Sequence, residues 1–161
     1  HGEYFNLEKV DGDHLRFIGE KLRSYGYTER GARKRLGLNR LADLSIESLA
    51  YYSMARLHRD EPLDVAISLF LLQLPVPSEQ LETIFEGKDI KMLEALRVLI
   101  FDATTQCYRA AVSLYPQRDL LIFTDHRFRH DPWVVSRWPR NPHRRRCRSA
   151  TGRHRQRRPT W

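Results

Sequence analysis

At 161 residues the chain has room for one ordinary domain and an extension, and is too short for a two-domain enzyme of the usual size. The formal charge of +8 is unevenly spread: residues 126–161 hold twelve arginines against Asp131 alone, which leaves a net −3 on residues 1–125. The high isoelectric point therefore describes the extension and excludes a uniformly basic domain surface. Two cysteines, Cys107 and Cys147, fall far apart and suggest no disulfide framework, so a reducing cytoplasm is expected. The longest apolar run, VAISLFLLQLPVP, is broken by Gln73 and Pro75 and falls short of a membrane span. His1 reads as a clipped start without a signal pattern.

Residues 1–12 read as a flexible lead-in. From Asp13, a candidate cap, Leu15, Ile18, Leu22 and Tyr25 recur at helical spacing until Gly26. Thr28 can cap a short helix through Ala32 and Leu36 that Gly37 stops; Ser45 can cap another carrying Leu49, Tyr52 and Leu57. Pro62 suits the first turn of a helix with Leu63, Ile67, Phe70 and Leu71 on one face, ended by Pro75 and Pro77. Ser78 caps a helix bearing Leu81, Ile84 and Phe85 and closed by Gly87, and Asp89 caps one carrying Leu93, Leu96 and Ile100. The pattern then alternates: QCYRAAVSLYP and DLLIFTD, separated by the turn signal Pro116–Asp119, read as a hairpin.

The expected fold class is therefore mainly α. A helical domain over residues 13–125 carries a winged-helix-like module from Pro62 that ends in a β-hairpin, and a disordered Arg-rich tail follows over residues 126–161. That tail holds two valines, Ala150 and no other aliphatic residue, too little apolar surface to offset chain entropy. Its arginines without lysine, alongside His, Pro and Trp, are what a shifted reading frame in GC-rich DNA yields, so a frameshift near Asp125–Asp131 is one expectation. A basic arm for nucleic acid is the other.

The segments PLDVAISLFLLQLPVPSEQL and AAVSLYPQRDLLIFTDHRF together resemble the N-terminal, non-catalytic domain of bacterial class I S-adenosylmethionine-dependent methyltransferases related to the HemK type. The resemblance spans roughly Leu15 to Phe128, and Gln73 and Leu74 stand where that family often has a glycine. It implies a substrate-recognition or auxiliary domain whose catalytic Rossmann-like partner is truncated away, with a protein or RNA as the methylated substrate. S-adenosylmethionine would be the donor in the intact enzyme. No cofactor is expected on this chain, because the Gly-rich turn that approaches such a ligand is missing. The resemblance also implies an Asn-Pro-Pro-aromatic clamp for the substrate amide, and its one candidate, Asn141-Pro142, is followed by His143 and Arg144.

The alternative is a winged-helix nucleic-acid-binding protein with a basic arm. Arg30, Arg33 and Lys34, at i, i+3 and i+4, can line one helical side, and Arg144, Arg145, Arg146 and Arg148 could each neutralise a phosphate without sequence preference. The solvated helix face is the plainer account of the first three. No catalytic residue and no metal site are expected; His143, Cys147 and His154 are too few and too poor in thiolate for structural zinc. Tyr115, Pro116, Asp119 and Asp125 lie where the resembling hairpin leads toward an active-site side. A membrane partner is not expected.

Overall fold

Capping chemistry opens the first described helix one turn before its apolar face begins. In the computed structural model, which describes residues 11–58 and 60–124, α1 (Gly12–Ser24) starts after Asp11, whose carboxylate accepts from the His14 amide at 2.9 Å. Asp11, not Asp13, is thus the cap. Helix α2 (Glu29–Leu36) matches its expected bounds: Thr28 Oγ1 accepts from Gly31 N at 3.0 Å, and Gly37 closes it at φ 72°. Two short 3-10 turns (Leu41–Asp43, Ile46–Ser48) lead into α3 (Leu49–Ala55).

The centre of the core is the segment that starts at Pro62. Helix α4 (Pro62–Ala66) widens into a π turn over Ile67–Leu71, and Val65, Ala66, Ile67, Leu69, Phe70, Leu71 and Leu72 are all buried. A run that is apolar on every side must be enclosed on every side. The segment ends at Gln73, which takes φ 55°.

Beyond it the expected mainly helical class is overturned: the fold is mixed α/β, with six helices and two antiparallel sheets among the described residues. Val76–Pro77 form a short edge strand, β1, after which come α5 (Ser78–Leu81) and α6 (Gly87–Ala95). Gly87 opens α6 rather than closing α5, because Glu86 and Asp89 form a reciprocal capping box. Helix α6 does not reach Ile100. Arg97 turns left-handed at φ 56°, and β2 (Leu99–Asp102) begins two residues later.

The single hairpin expected from residues 106–125 is split between two sheets. β3 (Cys107–Ala110) lies between β1 and β2, pairing Phe101 with Tyr108 and Val76 with Tyr108. β4 (Ser113–Gln117) and β5 (Leu120–Thr124) form a separate ribbon around the loop Arg118–Asp119. The expected winged-helix-like module closing on that ribbon is corrected accordingly, since the strands closing its helices are β2 and β3. The ribbon instead returns to the core: Ser113 Oγ donates to Phe70 O at 3.1 Å and the buried Tyr27 hydroxyl donates to Leu114 O at 2.6 Å. The expected lead-in up to residue 10 and the tail over 126–161 lie outside the described residues, as do Asp125, Arg144, Arg145, Arg146 and Arg148. Among the described residues no helix is long and apolar enough to cross a membrane.

Candidate functional site

Helix α2 and the ribbon loop meet at one place. The first turn of α2 presents the Glu29 carboxylate, and its Oε2 accepts from the backbone N–H of Arg118 at 2.7 Å, pinning the β4–β5 loop over the helix start. The loop has two residues, and the first, Arg118, sits at φ 53°, the sign that tight hairpin turns require. Between helix and loop lies an open concavity of about 450 Å³ lined by Thr28, Glu29, Arg30, Arg33, Arg118 and Asp119.

Three arginines and two acidic residues line this hollow. Arg30 is exposed; Arg33 is half-buried, and its Nε is shielded from solvent with no hydrogen-bond partner. Thr28 Oγ1 is engaged as the cap acceptor for Gly31 N. Such a lining can hold an anion against several N–H donors while offering carboxylate acceptors to hydroxyl or amide groups beside it.

Of the expected α2 cations, Arg30 and Arg33 reach the concavity and Lys34, exposed on the same helix, does not line it. Arg118, Glu29 and Asp119 complete it. The sequence marks Pro116–Asp119 as a turn, but which helix that turn covers depends on a contact across 89 positions of chain. Tyr115 lies half-buried in β4 and Pro116 is buried, and neither lines the hollow, whereas Asp119 does.

The other polar clusters serve the scaffold. Asp64 is 1 % exposed and accepts from Arg35 Nε and Nη2, each at 2.5 Å, and from His58 N at 2.6 Å. These bonds tie α2 to α4 and hold the Arg35 guanidinium above its ordinary pKa. A smaller hollow of about 240 Å³, lined by Glu94, Arg97, Leu99, Ile100 and Phe101, lies beside β2. Cys107 is buried, its thiol donating to Thr105 O. Among the described residues no group of three or more His, Cys, Asp or Glu side chains is placed to hold a metal. No family model matches the chain, and no curated protein or solved structure is found similar to it.

Proposed function

We propose that residues 13–124 form the substrate-recognition or auxiliary domain of a class I S-adenosylmethionine-dependent methyltransferase of the HemK-related type, acting in the cytoplasm on a protein or RNA. The backbone at Gln73 carries this reading. It adopts φ 55°, a conformation that glycine favours, at the position where the resembling family often has glycine. The packing of the two resembling segments on one another through Ser113 and Phe70 supports it further.

Two measurements test it. The DNA following the codons for this chain, read in all frames, is expected to encode a Rossmann-like domain with a Gly-rich turn; its absence from every frame overturns the methyltransferase reading. Calorimetric titration of the full chain with S-adenosylmethionine is expected to give no saturable heat, and stoichiometric binding would overturn the non-catalytic assignment.

A second reading, a nucleic-acid-binding protein, is favoured by one observation, the convergence of Arg118 from the ribbon with Arg30 and Arg33 from α2. Sequence-specific DNA binding that survives removal of residues 130–161 would favour it over the first. Steep loss of affinity with salt together with no sequence preference would count against it.

A further inference from the structure

We propose that the concavity between α2 and the β4–β5 loop is a binding site for one ribonucleotide unit, its phosphate held by Arg30, Arg33 and Arg118 and its sugar hydroxyls met by the carboxylates of Glu29 and Asp119. The inference deepens the recognition reading, and rests on it only for the RNA to which such a unit would belong.

The size and the mixed charge of the lining choose the ligand. A hollow of about 450 Å³ lies within the range of small-molecule sites and is larger than a bare inorganic anion needs. Guanidinium groups suit phosphate oxygens because their paired N–H donors match the spacing of two oxygens. Three arginines against two acids leave one net positive charge, enough for a single phosphodiester and poorly suited to a run of carboxylates, which Glu29 and Asp119 would repel. The same carboxylates are acceptors without donors, and a ribose offers them a vicinal pair of hydroxyl donors beside the phosphate, of which a deoxyribose keeps only the 3′-hydroxyl and inorganic phosphate has neither.

The site has a second mark of incompleteness. Arg33 Nε is screened from water and bonded to nothing, an arrangement uncommon for a buried polar donor in a folded chain. An oxyanion seated against the guanidinium lets it turn and satisfy that donor. Glu29 keeps one carboxylate oxygen for a ligand, because the Arg118 amide takes Oε2. The loop that brings in Arg118 is fixed by a backbone bond, so the charged side chain can be removed without releasing the loop.

The test is amide NMR on the full chain, since residue-resolved shifts separate this hollow from the arginines beyond residue 125. Uridine 5′-monophosphate, its 2′-deoxy counterpart, inorganic phosphate and hexauridylate are titrated in turn. Saturable shifts at Thr28–Arg33 and Arg118–Asp119 are expected with the ribonucleotide, and about tenfold weaker ones with the deoxy form and with phosphate. Arg118→Asn, which suits the left-handed backbone there, and Arg33→Gln are each expected to weaken the ribonucleotide about tenfold while amide shifts elsewhere stay in place. Tighter binding of hexauridylate at the same amides assigns the unit to RNA, and equal or weaker binding assigns it to a free nucleotide. Shifts confined to residues beyond 125, or equal affinity for inorganic phosphate and the ribonucleotide, would overturn the proposal. Neither result touches the methyltransferase reading, which the downstream DNA decides.

Discussion

Tyr27 spends its hydroxyl on the carbonyl of Leu114 at 2.6 Å while the whole side chain is withdrawn from water, so one residue of the α1–α2 link holds the ribbon to the helices. Removing that oxygen leaves a buried carbonyl without its partner. Tyr27→Phe is expected to lower stability near neutral pH by about 1–2 kcal/mol, read from the midpoint of urea unfolding. Asp64 is under a different constraint, because its carboxylate is buried with three donors facing it. Asp64→Ala removes the partner of a half-exposed guanidinium and of the His58 amide, and a loss of about 3 kcal/mol is expected; Asp64→Asn, which keeps an acceptor, should lose less. At Gly31 the limit is space. A Cβ there would meet the Gly26 carbonyl oxygen at 2.0 Å. A Gly-to-Ala change inside a helix ordinarily stabilises by about 1 kcal/mol, but Gly31→Ala is expected to destabilise by about 1–3 kcal/mol, as a thermal scan would record.

Between elements, the ends of helices decide where strands can begin. Helix α6 stops because Arg97 turns to φ 56°, with Val98 N bonded to Leu93 O and Arg97 N to Glu94 O, the bonds of a glycine-type helix end. An L side chain held in that conformation costs about 1–2 kcal/mol, and glycine's extra freedom when unfolded returns part of it. Arg97→Gly is therefore expected to raise the urea midpoint by a stability equivalent of about 0.5 kcal/mol with an unchanged slope. No change in midpoint, or a loss, would mean that the Arg97 side chain contributes through the hollow beside β2. The β4–β5 ribbon depends on its two anchors in the same way. Two strands by themselves are marginal in water, and this pair is stable because Leu114 and Pro116 are buried and Glu29 holds the loop.

Across the whole molecule, titration ties stability to pH from both sides. Burial raises the Tyr27 pKa well above its ordinary value of 10.0, so the neutral phenol is the folded form. Because the folded value exceeds the unfolded one, this contribution is complete below pH 10 and is lost as the pH climbs through the raised value. Tyr108, raised by burial and by Glu94, acts in the same direction. Tyr27→Phe is expected to flatten the alkaline limb of a stability-against-pH curve, its deficit relative to the parent shrinking above pH 10. On the acid side Asp43 is lowered by the Arg40 hydrogen bond, Glu86 by Lys88 and Asp102 by the Thr105 hydroxyl. Their depressed values place that contribution above the ordinary carboxylate range, and it is lost as pH falls through the folded values. Asp43 and Glu86 are exposed and Asp102 is half-buried at the end of its strand, so the acid limb should be shallow and weaken further in salt.

Local chemistry made parts of this architecture readable from the residues. Helix α2 runs from its Thr28 cap to Gly37 because both signals act within one turn of chain, and Pro62 and Pro75 bracket the buried segment because proline limits its own backbone wherever it stands. The helix end at Arg97 carries no such sign, since an arginine in a left-handed conformation looks like any helix-forming residue until Leu99 finds Ala110. QCYRAAVSLYP reads as one strand for the same reason: alternation shows that residues are extended, but not which partner each half takes.

The amino-acid order by itself determined the Thr28 cap, the stop at Gly37, the prolines that bracket the segment from Pro62 to Pro75 and the turn at residues 116–119, all set by interactions within a few residues. Only tertiary structure decided that β3 and β4 belong to different sheets and that Arg118 joins Arg30 and Arg33. Strand pairing and charge convergence are contacts between distant parts of the chain, and their geometry exists only once the core has folded.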